Sequence, residues 1–339
     1  MRDVAAEAGV SVKTVSRVVN NERWVSSEVA ARVEGAIAKL GYRPDARARA
    51  MRNSGLAGRT LGVVHADLAN PFFTAVHSGI ESVAHEAGCT ILTASSHDSH
   101  DKQDGLIRTF NDRRVDGFIV VPAADTVVGS SPALDEEVDR LTPIVCIDRR
   151  YGAQTDFVRS DNVSGAKEAT EHLLAHGHLR IAFLGDNSGL WSAQRRLAGY
   201  RDALESSNVD IDEALIISGL DDSAAAAAAV NQLLDTKTPP TAFFAAKNHL
   251  AIGAVQALHA RKLQNEIALV GFDEISLADL ISPGITTIPQ NAPALGRIAC
   301  ELLLDRLDNG RSTAIQQTVP VSLVARGSGE ILGPLHSQT

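Results

Sequence analysis

The side chains with the clearest chemistry lie in the first twenty residues. In the stretch DVAAEAGVSVKTVSRVVN (residues 3–20), a basic and hydrogen-bonding set recurs at i, i+3, i+4 and i+7, which places it on one face of a helix. Its members are Lys13, Ser16, Arg17 and Asn20. The opposite face carries Val15, Val18 and Val19. A helix of this size with such a polar face fits the major groove of double-stranded DNA.

Two short helical patterns joined by a tight turn would position that face. In the first, Val4 and Ala8 lie one turn apart and Gly9 ends the segment. Ser11 offers a side-chain oxygen that can cap the second helix. The pattern by itself also fits two surface helices of a larger bundle.

A third helix is predicted from about residue 27 to residue 40, capped by Ser26 and ended by Gly41. Its expected buried stripe consists of Val29, Val33 and Ile37. A short fourth helix is predicted at about 45–52, and the glycines in NSGLAGRT then indicate a linker.

Charge is divided unevenly along the chain. The net charge of the 339 residues is −9, which does not suggest a partner for a polyanion. Residues 1–59, however, hold 11 lysines and arginines against 6 acidic residues, a net charge of +5, so the other 280 residues carry −14. A basic head on an acidic body is typical of a protein that places one end on nucleic acid.

After residue 60 short apolar runs alternate with helical patterns. This alternation predicts parallel sheets with helices on both faces, in two tandem units at about 60–160 and 161–290. The segment 291–310 is predicted to be a helix that packs back on the first unit. The predicted strands are 61–65, 90–94, 117–122, 143–148, 180–185, 215–219, 241–246, 268–273 and 319–327.

Polar residues follow several of these strands. Parallel sheets bind ligands at the carboxyl ends of their strands, so the set predicts a small-molecule cleft between two lobes. Helix caps and turns would use the same residue types. The residues are Asp67, Asp148, Asp186, Lys247, Asn248 and Asp273.

The head and several later blocks resemble the lac repressor (LacI/GalR) family. After the motif above, the likeness continues through WVSSEVAARVEGAIAKLGYRPDARARAMR and through NPFF, RRVDG, SDN, RRLAGY, VGFDE and ARGS, in family order. The resemblance implies an all-α helix-turn-helix DNA-binding head (1–44), a hinge helix and linker (45–59) and a tail (331–339). Between linker and tail it implies an α/β, two-lobed, periplasmic-binding-protein-like core of doubly wound parallel sheets (60–330). Lobe one would take about 60–160 plus 291–318, and lobe two 161–290 plus 319–330.

The same resemblance implies a homodimer on a near-palindromic double-stranded DNA operator, with a small polar effector that sets operator affinity. The positions matching the family's major-groove contacts are Val12, Lys13, Ser16 and Arg17, and phosphate contacts are expected from Thr14 and Asn20.

The hinge is expected to lie in the minor groove. Met51 stands where the family usually has a leucine wedge, and Arg47, Arg49 and Arg52 would hold nearby phosphates. A solvated helix face is the alternative for this arginine run. Asp45 replaces the usual asparagine at the start of the hinge and can cap it equally well.

The effector pocket is assigned from matched positions. The pocket positions are Arg196, Asp273, Gln290, Ser192 and Asp148, and the cleft mouth of the first lobe holds Asn70 and Phe72.

The pocket departs from the family at two places. Lys247-Asn248 replaces a common Asn-Asp pair, and an ammonium there, near Arg196 and Arg159, hints at an anionic carbohydrate. An outward-pointing lysine is the alternative. Asp222 lies where several members place a stacking aromatic, and Trp191 is expected to take that role.

Other functions find less support in the residues. Cys89, Cys146 and Cys300 are few and far apart, which predicts a reducing cytoplasm and no disulfide framework. We expect no metal at HDSH (97–100), no nucleotide cofactor and no membrane span. A transporter's solute-binding protein is disfavoured by the basic head and the missing signal peptide. An α/β enzyme is disfavoured because no catalytic constellation stands out.

Overall fold

A computed structural model describes residues 1–19, 25–42, 58–124 and 126–335. The predicted hinge, with Arg47, Arg49, Met51 and Arg52, lies outside the described residues, as does Asn20. The chain divides into two compact units, Met1–Thr60 with His85–Thr90, and Leu61–Ala84 with Ile91–Thr339. Each unit is described separately.

The described residues of the first unit form three helices before the sheets begin: α1 (Arg2–Ala8), α2 (Val12–Val19) and α3 (Ser27–Leu40). These agree with the predicted helix-turn-helix and the third helix. Ser11 Oγ accepts a hydrogen bond from Thr14 N at 3.1 Å and so caps α2 as expected. The small core is built from one face of each helix and includes Val4, Val15 and Val33.

Arg32 of α3 fixes the end of α1. Its Nη2 donates to the carbonyl oxygen of Ala8 at 2.9 Å, which satisfies one of the acceptors that a helix leaves open at its C-terminus. Gly9 follows with φ 63°, a left-handed conformation that favours glycine. The turn before α2 is therefore held by both backbone geometry and a side chain.

The second unit contains two parallel sheets. The larger has the order β11-β5-β4-β3-β1-β2 and forms what we call lobe one; the smaller has the order β10-β9-β8-β6-β7 and forms lobe two. The strands of lobe one are β1 (Thr60–His65), β2 (Thr90–Ser95), β3 (Gly117–Val120), β4 (Ile144–Ile147), β5 (Asp156–Ser160) and β11 (Gln316–Val319). Those of lobe two are β6 (Ile181–Leu184), β7 (Ile216–Ile217), β8 (Ala242–Ala245), β9 (Ala268–Phe272) and β10 (Thr286–Ile288).

Helices follow most strands, as the alternating pattern predicts. They are α4 (Pro71–Glu86), α5 (His100–Asp112), α6 (Pro132–Asp139), α7 (Asn162–Ala175), α8 (Trp191–Ser206), α9 (Ser223–Leu234), α10 (Asn248–Ala260) and α11 (Ala292–Asn309), with a 3-10 turn at Glu213–Leu215. Helix α11 packs on β3, β4 and β5 of lobe one, as predicted for this segment.

One predicted strand is wrong, and three strands were not predicted. Residues 319–327 do not form a continuous strand, because β11 ends at Val319 and Pro320 has no N–H to continue a ladder. The later residues form only isolated bridges, such as Thr287 with Val324. The unpredicted strands are β5, β10 and β11.

Helices α7 and α8 pack closely, and this contact places the polar residues of α8. A Cβ atom on Gly199 would overlap the carbonyl oxygen of Val163, so only glycine allows this approach. The hydrophobic core beneath them includes Phe183, Tyr200 and Phe272. The first turn of α8 is thereby held at the edge of lobe two.

Candidate DNA-binding and effector-binding sites

The exposed face of α2 is narrower than predicted. Val12 is 43% exposed, and Lys13 is also exposed, which suits side chains that contact DNA. Ser16, expected on this face, is only 8% exposed. Because α2 packs against both α1 and α3, more of its circumference is enclosed than a single apolar stripe suggests. Arg17 is half-buried.

Thr14 belongs to the cap of α2. Its Oγ1 lies 2.9 Å from Ser11 Oγ, and its backbone N donates to the same oxygen. Both residues therefore lie at the positive end of the helix dipole, a position that suits phosphate.

Arg196 is the centre of a buried polar network in lobe two. Its Nε donates to Asn162 Oδ1 at 2.8 Å and its Nη1 to the carbonyl oxygen of Ala246 at 2.6 Å. The guanidinium lies over the Phe272 ring, 3.9 Å from the centroid. Nη1 is also 3.9 Å from Asp273 Oδ2. These contacts fix a planar donor at the carboxyl end of the sheet.

Asp273 directly follows β9 in a left-handed conformation, φ 72°, and is 5% exposed. Gln290 Nε2 donates to its Oδ1, and the backbone N of Asn248 donates to Oδ2 at 3.4 Å. Among the described residues, Gln290 Oε1 is buried without a hydrogen-bond partner. A buried acceptor without a partner indicates a position that a ligand donor can fill.

Asp148 occupies the corresponding place in lobe one. It follows β4 with φ 64° and is 6% exposed. Ser192 Oγ of α8 donates to it at 3.2 Å, and Arg149 Nε lies 3.7 Å away. Burial raises the pKa of Asp148, while the charges of Arg149 and Arg196 oppose that rise.

Arg149 was not predicted as a site residue, although it directly follows Asp148. It is buried, its Nη1 donates to the carbonyl oxygen of Pro122 at 2.8 Å, and it pairs with Asp98. Its Nε has no hydrogen-bond partner among the described residues. Asn162, which holds Arg196, was also missed; its place in the SDN block was the available signal.

In the described part of the chain, two pairs of side chains form hydrogen bonds across the lobes. Asn248 Nδ2 donates to Asn70 Oδ1 at 2.9 Å, with both residues buried, and Ser192 donates to Asp148. Asn70 Oδ1 also accepts from the backbone N of Phe72 at 3.0 Å. The predicted mouth residue Asn70 is therefore a buried bridge.

Lys247 does not supply an excess cation. Its Nζ lies 2.8 Å from Asp186 Oδ2, and the two side chains are 25% and 12% exposed. This partly buried pair offsets the ammonium charge, so Lys247 does not itself argue for an anionic effector. That Lys247 helps to hold an anionic carbohydrate stays a prediction, and the lysine has a carboxylate partner on a different loop.

Asp222, expected in the effector pocket, lies at the start of a helix. It is exposed, and its Oδ1 accepts from Ala225 N at 2.8 Å, which makes it the N-cap of α9. Trp191 packs edge-on against Phe157, with ring centroids 5.4 Å apart. Arg159 lies over the Trp191 ring and donates to Thr318 Oγ1 at 3.1 Å.

Taken together, the cleft between the lobes offers fixed donors from Arg196 and Arg149 and acceptors from Asp148, Asp273 and Gln290. Such alternation suits hydroxyl groups, because each hydroxyl both donates and accepts. No three histidine, cysteine or acidic side chains of the described ranges are placed to share a metal ion. No helix in the described part of the chain is both long and apolar enough to cross a bilayer.

A helix-turn-helix of a size that fits the DNA major groove, together with a two-lobed ligand-binding core, defines a regulator of the repressor class. Comparisons with known proteins agree with this class. The model of the lacI family of bacterial regulatory proteins matches residues 1–45, and that of a periplasmic binding protein-like domain matches residues 170–329. The chain is 32% identical to the transcriptional repressor PurR of Vibrio atlanticus over 310 residues, 91% of each protein. It is 31% identical to the ribose operon repressor of Escherichia coli K12 over 333 residues, 97% of this chain and 99% of that one.

Solved structures agree as well. A lac repressor dimer bound to operator and the anti-inducer ONPF is 28% identical, with a TM-score of 0.82 and 98% of both chains covered. A LacI-family regulator from Enterococcus faecium with bound ribose is 26% identical, with a TM-score of 0.71, over 81% of this chain and 100% of that one. The chain therefore belongs to the LacI family. It is a ligand-responsive, DNA-binding transcription regulator.

Proposed function

We propose that this protein is a repressor, not an enzyme, whose operator affinity is set by a small neutral sugar in the cleft between the lobes. The supporting observation is a network of buried polar side chains around Arg196 and Asp273, which faces Asp148 and Arg149. Its donors and acceptors suit the hydroxyl groups of a ligand. Two of its polar atoms, Arg149 Nε and the Gln290 carbonyl oxygen, have no hydrogen-bond partner among the described residues. A polyhydroxy ligand supplies both missing partners.

The charges of this network favour a neutral ligand. Each buried or half-buried cation has a carboxylate close by: Arg196 has Asp273, Lys247 has Asp186, and Arg149 has Asp98. Ribose is the candidate that the relatives support, through the ribose operon repressor and the ribose-bound family member.

At the DNA end, Val12, Lys13 and Arg17 are proposed to reach base edges, with Thr14 at a phosphate. The contacts assigned to Asn20, Arg47, Arg49 and Met51 stay predictions. The lac repressor dimer bound to operator supports a homodimer on a near-palindromic site, acting in the bacterial cytoplasm where that DNA lies.

The coupling between effector and operator is proposed to run through lobe closure. Asn70 with Asn248, and Asp148 with Ser192, join opposite lobes. A ligand that contacts Asp148 and Arg196 together binds the closed arrangement better and shifts the population toward it. That differential affinity is what can change the operator-binding state.

The test is a DNA shift assay with an operator selected from random double-stranded DNA by the wild-type protein. Arg17→Ala is expected to weaken specific binding by about 1–3 kcal/mol, through loss of a base or phosphate contact. Lys39→Ala is the matched control, because Lys39 is an exposed cation of the same head that lies on α3 and pairs with Glu7 of α1.

The two variants also separate DNA contact from effector contact. Arg17→Ala should keep the wild-type affinity for ribose, and its remaining DNA binding should be non-specific and strongly salt-dependent. Equal losses of operator affinity in Arg17→Ala and Lys39→Ala would contradict the assignment of α2 as the recognition helix.

A further inference from the structure

A cavity of about 440 Å³ opens where lobe one passes into lobe two. It lies at the carboxyl end of β5 and between the first turns of α7 and α8, and its size is within the range of small-molecule sites. Its lining residues are Arg159, Ser160, Asp161, Asn162, Val163, Trp191, Arg195 and Thr318.

Two guanidinium groups flank one indole in this cavity. The Cζ atoms of Arg159 and Arg195 each lie 5.1 Å from the centroid of the Trp191 ring. Such stacking holds the plane of a guanidinium while it leaves the N–H edges available. Arg159 uses its Nε for Thr318, which leaves its terminal nitrogens for other acceptors.

Neither arginine is neutralised in the described ranges. No carboxylate there lies within 4 Å of the guanidinium nitrogens of Arg159 or Arg195. The next residue, Arg196, has Asp273 at 3.9 Å and so differs in this respect from its neighbour. The cavity therefore has a positive charge that the sugar-directed network lacks.

A second and independent feature is a buried hydroxyl. Ser160 lines the cavity, is 1% exposed, and its Oγ has no hydrogen-bond partner among the described residues. A buried hydroxyl without a partner is costly unless a ligand or water satisfies it. The cavity also receives the N-terminus of α7, a helix of 14 residues whose dipole favours negative charge there.

One carboxylate lines the same cavity. Asp161 is the N-cap of α7, and its Oδ1 accepts from Ser164 N at 3.2 Å. This carboxylate caps the helix end, and it only partly offsets the attraction of the cavity for an anion, because the two cations Arg159 and Arg195 line the same cavity.

We propose that this cavity is an anion subsite that takes the phosphate or carboxylate group of a small organic anion between Arg159 and Arg195. Arginine binds both groups through paired N–H donors. The anion is either a separate metabolite, which leaves the neutral-sugar proposal unchanged, or the charged end of the cleft ligand, which would replace the neutral sugar by a sugar phosphate or sugar acid. Asn162 links the two sites, because it lines the cavity and also accepts from Arg196 Nε.

The test is calorimetric titration of the full-length protein with ribose, ribose 5-phosphate and inorganic phosphate at constant ionic strength. Arg159→Gln and Arg195→Gln are each expected to weaken binding of ribose 5-phosphate about tenfold or more, since each removes a charge-assisted contact. Arg150→Gln is the control, because Arg150 is exposed and its Nε donates to the nearby carbonyl oxygen of Gly152. Thermal melting of each variant checks that the fold is kept.

The outcomes distinguish the two sources and both proposals. Phosphate binding that survives Arg196→Ala indicates a separate metabolite, and ribose 5-phosphate binding lost in both Arg195→Gln and Arg196→Ala indicates one ligand that spans both sites. If the wild type binds ribose 5-phosphate but does not bind ribose, the neutral-sugar proposal is wrong and this subsite is unaffected. The subsite is overturned if the wild type binds ribose 5-phosphate no better than ribose, or if Arg150→Gln weakens it as much as Arg195→Gln does.

Discussion

Lobe one and lobe two place an aspartate at the same point of the same strand order, yet the two carboxylates have different surroundings. Asp148 follows β4 and Asp273 follows β9, each with a left-handed backbone. The N–H of Asp148 donates to Val158 of the adjoining strand at 3.0 Å, and that of Asp273 donates to Ile288 at 2.9 Å. The backbone frame is therefore repeated, and the side-chain partners are not.

Asp273 is completed within its own lobe. Arg196, Gln290 and the backbone of Asn248 all come from lobe two. The Asp148 carboxylate accepts a side-chain hydrogen bond at 3.2 Å, and its donor, Ser192, comes from the other lobe. Burial raises the pKa of Asp148, as expected for a carboxylate with few compensating donors.

The difference indicates how ligand binding can be coupled to closure. Lobe two holds a finished recognition surface, whereas the polar surface of lobe one is completed only when α8 approaches. A ligand that adds hydrogen bonds to Asp148 and Arg149 strengthens the arrangement in which the lobes are together. Substitutions on the two sides should therefore behave differently.

The largest effect is expected from Arg196→Ala. It leaves Asp273 buried without its cation, which should lower the free energy of unfolding of the core by about 3–5 kcal/mol and remove the effector response. Urea unfolding and ribose titration measure the two effects. Arg195→Ala is the neighbouring control and should change stability by about 0.5 kcal/mol at most. A core as stable as wild type in Arg196→Ala would show that lobe two is not preorganised in this way.

Asp148→Asn should not lower the free energy of unfolding as Arg196→Ala does. Because burial raises the pKa of Asp148 in the folded protein, its stabilising contribution is present below the ordinary aspartate pKa and is lost as pH rises through the folded value. Above that folded value the ionised, buried carboxylate costs stability that asparagine does not, so the variant should be at least as stable as wild type there, while its ribose affinity falls.

The pH dependence of the free energy of unfolding distinguishes the removal of the Asp148 charge from a general effect of the substitution. The advantage of Asp148→Asn should shrink as pH falls, because the raised pKa lets the wild-type carboxyl take up its proton in the folded protein above the ordinary aspartate pKa. Asp273→Asn provides the matched comparison and should be less stable than wild type at neutral pH, because Arg196 then lacks a carboxylate. A stability loss of equal size in both variants would remove the distinction between the lobes.

The strands of both lobes could be predicted largely because buried parallel strands are continuous apolar runs. Strand β5 escaped that rule, since Asp156 and Arg159 interrupt its apolar residues. Asp156 is nevertheless fully buried, because Arg306 and Arg311 each bind it at 2.7 Å. Partners about 150 residues away cannot be read from a local pattern.

The candidate site shows the same division. Resemblance to the family assigned Arg196, Asp273 and Gln290 together, and the structure brings them into one network. It could not show that Lys247 meets Asp186, since that pairing depends on how two loops approach. The family resemblance placed Asp222 in the pocket, because a matched position does not reveal how exposed a side chain is.

A smaller effect is expected where the lobes touch at Asn70 and Asn248. A double-mutant cycle with alanine at each position should give a coupling of about 1 kcal/mol, because a buried reciprocal pair of neutral hydrogen bonds, at 2.9 and 3.5 Å, is lost. Saturating ribose should increase that coupling if the ligand favours the closed lobes. The exposed pair Lys167 and Asp202, on α7 and α8 of lobe two, is the control and should couple by less and show no response to ribose.

The smallest effect is expected from Lys247→Gln. If the ammonium is offset by Asp186, removing it changes the affinities for ribose and for ribose 5-phosphate alike, so their ratio stays as in wild type. Titration of both ligands measures that ratio, and Arg195→Gln should lower the preference for the phosphate in the same experiment. A fall in the ratio for Lys247→Gln, with none for Arg195→Gln, would move the anion contact into the cleft. Lobe two would then recognise charge as well as hydroxyl groups, and its buried network would no longer be the neutral counterpart of the cavity beside Trp191.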